Sequence, residues 1–349
     1  MSDQTFARRP TLEAVAERAG VSRATVSRVV NGGSGVREAL VEKVRRAVEE
    51  LGYVPNQAAR TLVTRRTGAI AVIAAEPETE VFANPFFAAQ LLGISRELAR
   101  HDQQLVLLLT EGAADYDRVG RYLAGGHVDG ALLFSLHNED PLPDIVRRAG
   151  VPTVFGGRPG WPGAEADRGV LYVDSDNRGG AREAVRHLIS LGRERVGTIT
   201  GPLDQTASVD RLDGYHDMLM DADARLVAEG DFTEAGGARA MTALLDRVAD
   251  LDAVFVASDL MAAGALRVLR EHGRRVPEDV AVIGFDDMAT VAELTDPPLT
   301  TVRQEIEEMG RLMVRLLLRS LERPAGGDGV GRSLSSVIIP TRLVRRATA

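Results

Sequence analysis

Polar and aromatic side chains lie just after several of the apolar, strand-like runs beyond residue 66, or at the start of the helix that follows the run. The candidates are Phe86 and Phe87 after the run at 69–75, Asp174 and Asp176 after 170–173, Arg211 after 195–200, Asp259 after 253–257 and Asp286 after 280–285. Parallel sheets place ligands at the carboxyl ends of their strands. A carboxylate accepts from two hydroxyls, a guanidinium donates in a fork, and an aromatic ring covers an apolar ring face. These residue types therefore predict a site for a small polyhydroxylated ligand.

Most of these residues also have a purely structural interpretation. Phe86 and Phe87 could belong to the hydrophobic core, and only one of them need face a cleft. Asp176 could cap the helix that follows it, and either Asp259 or its neighbour Ser258 could cap the next. The sequence leaves these alternatives open.

A second group of candidate functional residues, mostly polar and basic, lies between Thr11 and Asn31. Thr11 can cap a first helix, and Gly20 can end it in the left-handed conformation. Ser22 can cap a second helix, which would bury its valines. The residues that this helix would turn outward are Arg23, Ala24, Ser27 and Arg28. Such a helix-turn-helix can place its second helix in the major groove of DNA, although the same pattern could be a helical hairpin in any small core.

The net charge of −8 conceals a strong asymmetry along the 349-residue chain. Residues 1–66 hold 12 Lys or Arg and 7 Asp or Glu, a net charge of +5, whereas residues 67–349 hold 30 and 43, a net charge of −13. A small basic segment on an acidic body is expected when only that segment meets the phosphates of nucleic acid. The charge distribution thus favours DNA contact by the N-terminal residues alone.

Composition argues against several other classes of protein. The chain has no cysteine, which excludes disulfides, thiolate metal ligands and cysteine catalysis. No apolar run approaches the ~18 residues of a membrane span, and residues 1–20 contain no secretory core. The motifs that mark common nucleotide-binding enzymes and hydrolases are absent, and the six histidines have no metal-ligand spacing. We expect a cytoplasmic protein that has no catalytic residues, needs no metal or cofactor and does not contact a membrane.

The order of helical and strand-like patterns predicts three parts. Residues 1–54 would form a helix-turn-helix DNA-binding domain, with a third helix at about 37–51. Residues 55–66 would form a short helix and a linker, and this helix is too short to be stable alone in water. Residues 67–349 alternate strand-like and amphipathic runs, which is typical of an α/β protein whose parallel sheets are split into two lobes.

Motifs along nearly the whole chain resemble those of the lac repressor (LacI/GalR) family. The N-terminal motifs are VSRATVSRVVN (21–31) and LGYVPNQAARTL (51–62); the later ones are NPFF (84–87), DNRGGA (176–181), RLDGY (211–215), ASD (257–259), GFDD (284–287), PPLTTV (297–302) and PTRLV (340–344). The resemblance implies an all-α head with a hinge helix, followed by a two-lobed effector-binding and dimerisation domain like the periplasmic sugar-binding proteins. The chain would cross between the lobes near 174, 290–303 and 330. The N-lobe would hold residues 67–174 and 303–330, and the C-lobe residues 175–300 and 331–345.

This resemblance also implies a transcriptional regulator, a repressor, that binds a palindromic operator in double-stranded DNA as a homodimer. The residues assigned to bases are Arg23, Ala24 and Arg28. The residues assigned to phosphates or to the rest of the DNA contact are Thr11, Ser22, Thr25, Ser27 and Asn31. From the hinge helix, Asn56 and Ala59 would join the contact, and Leu62 would wedge into the minor groove at the operator centre.

A small-molecule effector, a sugar or a similar polar metabolite, is the other partner that the resemblance implies. Arg211 and Asp286 match positions that usually contact effector in the family, and Phe232 lies where some sugar-responsive members carry a stacking aromatic ring. Ser258 stands where family members often carry asparagine beside the aspartate. Effector binding would change the angle between the lobes and thereby the stability of the hinge helices. The alternative function is a cytoplasmic small-molecule-binding or enzymatic α/β protein whose helical head serves assembly.

Overall fold

The computed structural model describes residues 10–30, 35–54, 66–161, 169–220, 222–322 and 334–349. The chain divides into two compact units, Met1–Thr67 and Gly68–Ala349. The predicted hinge helix lies outside the described residues, and so do four residues assigned to the DNA contact: Asn31, Asn56, Ala59 and Leu62.

Three helices form the described part of the first unit, which we call the head. They are α1 (Leu12–Ala19), α2 (Arg23–Val30) and α3 (Glu38–Leu51). Gly20 ends α1 with a φ of +64°, in the left-handed region that favours glycine. Val15, Val26 and Val44, one from each helix, are completely buried. This small core fixes α2 against the other two helices and leaves its opposite face exposed.

The second unit begins with the N-lobe, a six-stranded parallel sheet with helices on both faces. Its strands are β1 (Ala69–Ala74), β2 (Gln104–Leu109), β3 (Gly130–Phe134), β4 (Thr153–Gly156), β5 (Leu171–Ser175) and β11 (Val337–Ile339), in the order β11-β5-β4-β3-β1-β2. Its helices are α4 (Glu78–Ala83), α5 (Pro85–Arg100), α6 (Ala113–Ala124), α7 (Leu142–Ala149) and α13 (Ile306–Leu321). Residues 70–74 of β1 are all completely buried, as expected for a central parallel strand covered on both faces.

The C-lobe repeats this plan with a second six-stranded sheet. Its strands are β6 (Val196–Thr200), β7 (Val227–Glu229), β8 (Ala253–Val256), β9 (Ala281–Asp286), β10 (Thr300–Arg303) and β12 (Arg342–Val344), in the order β12-β10-β9-β8-β6-β7. Only the β12–β10 pairing is antiparallel. Its helices are α8 (Asn177–Ser190), α9 (Thr206–Met218), α10 (Glu234–Arg247), α11 (Asp259–Glu271) and α12 (Ala289–Ala292), with a 3-10 turn at Ala224–Leu226.

The chain passes between the lobes after β5, after β10 and between β11 and β12. The first two crossings fall close to the predicted positions. The third lies at 340–341 rather than near 330, because Val337–Ile339 pairs with β5 and extends the N-lobe sheet. Residues 337–339, which the sequence analysis placed in the C-lobe, therefore belong to the N-lobe.

The predicted fold class, an all-α head followed by a two-lobed α/β domain, is confirmed by this architecture. The sequence did not predict β7, β10 or β12, since each has only three or four residues and too little alternation to reveal a strand. Within the described ranges, no helix is long and apolar enough to span a membrane.

Candidate functional site

Residues that follow strands of both sheets line a single cleft of about 330 Å³ between the two lobes. Five of the seven predicted ligand contacts line it: Phe86, Phe87, Arg211, Phe232 and Asp286. Asp174, at the end of β5, lines it as well. The rule that ligands bind at the carboxyl ends of parallel strands therefore brought most of the candidates to one place.

Arg211 is a buried cation in the wall of the cleft. Its side chain projects from α9, and the residue is 5% exposed. Its Nε donates to Asn177 Oδ1 over 2.9 Å and its Nη1 to the carbonyl of Ala257 over 2.5 Å. The guanidinium lies 3.8 Å from the ring centre of Phe285. Burial lowers the pKa of Arg211, while the carboxyl groups around it, Asp286 first, oppose that shift. These contacts hold the guanidinium in one orientation, as a fixed donor.

Two carboxyl groups beside Arg211 supply acceptors. Burial raises the pKa of Asp286 to about 6, although Arg211 and a 2.6 Å bond from Gln304 Nε2 act in the opposite direction. Burial also raises the pKa of Asp174, which accepts from the amide of Arg158 over 3.0 Å. The backbone of Asp286 has a φ of +117°, a conformation that costs about 1–3 kcal/mol in a residue other than glycine and is typical of functional sites.

Aromatic rings form the apolar part of the cleft lining. Phe87 stacks on Phe134 with ring centres 5.8 Å apart, and Phe86 meets Phe87 edge to face. Both Phe86 and Phe87 line the cleft, so the two interpretations of these residues, core and ligand contact, are compatible. Trp161, the single tryptophan of the chain, also lines it and packs against Phe155. The sequence analysis missed Trp161, although its position shortly after a strand-like run could have identified it.

Two predicted ligand contacts lie elsewhere. Asp176 is exposed and accepts from the amide of Gly179 over 2.8 Å, so it caps α8. Asp259 is completely buried behind the cleft, where it accepts from the amide of Met288 and from the hydroxyl of Thr301. For Asp176 the structural alternative left open by the sequence, a helix cap, describes the residue. For Asp259 it does not, because the cap of α11 is Ser258. Ser258 instead lines the cleft and caps α11.

Polar residues from both lobes also meet at one side of the cleft, where the sequence predicted no site residue. His137, Glu76, Asp204 and Gln205 form what we call the rim cluster. His137 and Glu76 come from the N-lobe, whereas Asp204 and Gln205 follow β6 in the C-lobe. Nearby, Arg158 of the N-lobe donates to Asp210 of α9 over 2.6 Å. These pairs join residues more than 50 positions apart, and the sequence carries no local signal for them.

Gln90 is a further cleft residue that the sequence analysis missed. It is 1% exposed, and its amide nitrogen lies 3.5 Å from the sulfur atoms of Met309 and Met313, which are weak acceptors. Its Oε1 has no hydrogen-bond partner among the described residues. A buried polar group without a partner costs about 1–3 kcal/mol, so we expect Gln90 to lower the stability of the N-lobe.

Replacing Gln90 with leucine should therefore raise the free energy of unfolding by about 1 kcal/mol, because the change removes the unpaired acceptor and keeps much of the side-chain volume. Urea denaturation followed by the fluorescence of Trp161 measures the effect. Gln104→Leu, at the exposed first position of β2, is the matched control and should change stability little. A less stable Gln90→Leu protein would contradict the prediction.

Four of the predicted DNA contacts of the head are exposed on α2 or directly before it. Ser22, Arg23, Ala24 and Arg28 are exposed. The Ser22 side chain accepts from the amide of Thr25, and the two hydroxyl oxygens are 2.9 Å apart. Arg23 Nη1 lies 3.1 Å from Glu13 Oε1 of α1.

Two further residues assigned to the DNA contact are tied into the head. Thr11 accepts from the amide of Ala14 over 3.3 Å and so caps α1, and Ser27 is partly buried on α2. The N-terminal turn of α2 thus presents Arg23 and Ala24 at the surface, on a helix that the core holds in place.

Comparisons with known proteins decide the family. Residues 11–56 match the family described as bacterial regulatory proteins, lacI family, and residues 185–349 match the periplasmic binding protein-like domain. The HTH-type transcriptional regulator CelR of Thermobifida fusca is 54% identical over 316 residues, which cover 89% of this chain and 92% of that protein. This chain belongs to the LacI family. As a LacI-family protein it is a DNA-binding transcriptional regulator, which confirms the resemblance drawn from the motifs.

Other LacI-family proteins match over similar lengths. The ribose operon repressor of Escherichia coli K12 is 35% identical over 322 residues, covering 90% of this chain and 94% of the repressor. A solved CelR–cellobiose complex superposes with a TM-score of 0.75 at 48% identity, over 98% of this chain and 100% of that one. The lac repressor dimer bound to operator and an anti-inducer gives a TM-score of 0.80 at 28% identity, over 98% of this chain and 99% of that one.

Proposed function

We propose that this regulator binds a palindromic operator as a homodimer, and that a sugar of the cellobiose type in the inter-lobe cleft changes its operator affinity. The observation that carries the proposal is the position of Arg211 between Asp174 and Asp286 in a cleft with aromatic walls. The similarity to proteins named CelR, one of which has been solved as a complex with cellobiose, supports the choice of sugar.

The charge balance of the cleft favours a neutral ligand. Two arginines, Arg158 and Arg211, line the cleft, and they are outnumbered by five carboxyl side chains: Glu76, Glu80, Asp174, Asp231 and Asp286. An anionic ligand would meet these carboxyl groups and be repelled, whereas sugar hydroxyls can donate to the carboxylates and accept from the guanidinium. We therefore assign direct ligand contacts to Arg211, Asp174 and Asp286.

Aromatic residues would bind the faces of the sugar rings. We assign this role to Phe232 and Trp161, with Phe86 and Phe87 completing the apolar wall. A cleft of about 330 Å³ is at the lower end of the range usual for small-molecule sites, and a short saccharide suits it better than a polymer. Asp176 and Asp259 are left out of the proposed contacts, since neither lines the cleft.

For DNA, we propose that α2 enters the major groove with Arg23, Ala24 and Arg28 facing the bases. An arginine can donate two bonds to guanine, whereas Ala24 offers only a methyl group. The residues proposed to position the head on the phosphates are Thr11, Ser22, Thr25, Ser27 and Asn31. From the residues outside the described ranges, we retain Asn56, Ala59 and Leu62 as contacts of a minor-groove hinge.

Coupling between the two sites requires that the effector bind one lobe arrangement better than another. Because each lobe contributes ligand contacts, a bound sugar favours the arrangement that brings Phe86 and Arg211 to the same molecule. In a homodimer this change would reach both hinge segments. We also infer that the protein acts in the cytoplasm, where its operator lies, and is not an enzyme, because its relatives are regulators.

The proposed effector can be tested by calorimetric titration of the purified protein with cellobiose, ribose and gluconate. We expect binding of cellobiose, weaker or no binding of the smaller ribose, and no binding of the anion. Ribose or gluconate binding more tightly than cellobiose would contradict the proposed effector class.

A further inference from the structure

The rim cluster joins the two lobes through an imidazole that has partners on both sides. His137 Nδ1 lies 2.8 Å from Asp204 Oδ2 of the C-lobe, and the amide of the next residue, Asn138, donates to the carbonyl of Asp204 over 2.9 Å. On the other side of the ring, Nε2 lies 3.0 Å from Gln205 Nε2 and 3.7 Å from Glu76 Oε1. In this structure Gln205 Nε2 also donates to Glu76 Oε1 over 3.3 Å. A protonated ring can donate from both nitrogens at once when the Gln205 amide turns its oxygen toward Nε2, and this turn gives up the bond from Gln205 to Glu76.

We call the lobe arrangement of this structure, in which His137 contacts Asp204 and Gln205 of the other lobe, the closed arrangement. We propose that His137 is a positioning residue that fastens it, so that closure of the lobes is linked to protonation of its ring. The proposal deepens the proposed function, since it concerns the regulation of the same cleft. His137 acts through the lobe arrangement rather than by recognising the sugar.

The charged groups that face His137 determine whether protonation of its ring favours or opposes closure of the lobes. In the closed arrangement its pKa rises from 6.5 to about 9, because Glu76 and then Asp204 stabilise the charged ring against the effect of burial. Asp140, a third carboxyl near His137, has a pKa raised by its own burial. When the lobes part, Asp204 and Gln205 leave with the C-lobe while Glu76 and Asp140 stay.

Opening removes both contributions of Asp204, its hydrogen bond and its charge, which lowers the pKa of His137. It also relieves the C-lobe's share of the burial, which acts in the opposite direction. The proposal takes the loss of Asp204 as the larger change, so that the pKa of His137 falls on opening. The closed form consequently binds more protons than the open form between the two pKa values. Protonation of His137 therefore favours closure at pH values below the pKa of the open form. This contribution to closure is lost as the pH rises through the pKa of the closed form, which is about 9.

The size of the effect is limited by solvent. The side chains of His137 and Asp204 are 34% and 55% exposed, and ion pairs in such positions are partly screened. We expect the ratio of closed to open molecules to fall about threefold between pH 7.5 and 9.5.

The absence of cysteine allows this ratio to be measured without an effector. Asp117→Cys on α6 and Asp246→Cys on α10 replace exposed residues, one on each lobe, and would be the only two thiols of the subunit. Spin labels at both positions report the distance between the lobes by pulsed electron paramagnetic resonance. The labelled protein should lose its short-distance population as the pH rises from 7.5 to 9.5. In the same background, His137→Gln should show a smaller short-distance population at pH 7.5 and no pH dependence.

The matched control is His101→Gln. His101 also faces a carboxylate, Glu97, at 3.5 Å, but both residues belong to α5 or its end and no lobe boundary lies between them. This variant should keep the pH dependence of the parent protein. A distance distribution that is constant from pH 7.5 to 9.5, or one that changes equally in His137→Gln, would overturn the proposal. Added cellobiose that leaves the distances unchanged would instead count against the proposed effector.

Discussion

Replacing Arg211 with methionine should lower cellobiose affinity about a hundredfold while leaving operator binding intact. Arg211 is a buried arginine in the wall of the cleft, and a lost hydrogen bond from a charged donor costs about 1.5–3 kcal/mol. The head forms a separate compact unit with its own core, so its helices do not depend on this side chain. Trp161, the single tryptophan, lines the cleft and provides a fluorescence signal for the sugar titration.

The same variant should be less stable, and more so at high pH. Without Arg211, the carboxyl of Asp286 loses its charged neighbour and its pKa must rise above the present value of about 6. A carboxyl whose pKa is raised in the folded state stabilises the fold at low pH, and this contribution is lost as the pH rises through the folded pKa. The free energy of unfolding of Arg211→Met should therefore fall further below that of the parent protein at pH 8 than at pH 5. The difference should be about 3–5 kcal/mol at most.

Arg225→Met is the matched control for Arg211→Met, since Arg225 is an exposed arginine of the same lobe that pairs with Asp223. It removes the same charge and should change neither cellobiose affinity nor operator binding. Equal cellobiose affinities for Arg211→Met and Arg225→Met would place the sugar site away from Arg211.

Replacing Arg23 with alanine should reduce operator affinity about a hundredfold or more and reduce affinity for random duplex much less. A bidentate arginine–guanine contact contributes about 1–3 kcal/mol of discrimination, and a palindromic operator has two half-sites. Arg23 is exposed at the N-terminal end of α2, and its only described ion pair is with Glu13. Fluorescence anisotropy with an operator selected from a random duplex pool, and with a scrambled duplex, measures both affinities.

Arg45→Ala is the control for charge, because Arg45 is an exposed arginine on α3 whose described partner is Glu42. Both variants remove one positive charge from the head, so their effects on random duplex and on its salt dependence should be similar. If Arg23→Ala weakened operator and scrambled duplex by the same factor, Arg23 would be a phosphate contact rather than a base contact.

Local patterns in the sequence were sufficient to predict the head and much of the cleft. The valine spacing, Thr11 and Gly20 predicted α1 and α2, because caps and helical periodicity are properties of neighbouring residues. Arg211 and Asp286 were predicted as site residues because each follows a strand of a parallel sheet, and because they match positions that usually contact effector in the family. Their placement beside each other needed the sheet order as well.

Two kinds of detail could not be predicted from the sequence. One is the residue at which a strand ends, and the other is a contact between segments that are distant in the chain. Asp174 and Asp176 differ by two positions, yet β5 ends at Ser175, so Asp174 stays with the sheet and Asp176 begins the helix cap. His137 and Asp204 meet only because the two lobes approach each other. The assignment of residues 337–339 depended on which of two sheet edges was free, which no local pattern reveals.

The most direct test of the central claim is the affinity of the homodimer for its selected operator, measured with and without saturating cellobiose. Fluorescence anisotropy at fixed salt gives both values, and Trp161 fluorescence on the same samples shows that the cleft is filled. The proposed coupling predicts that cellobiose changes operator affinity, and that operator DNA changes cellobiose affinity by the same factor. Cellobiose that fills the cleft while operator affinity stays the same would contradict the account.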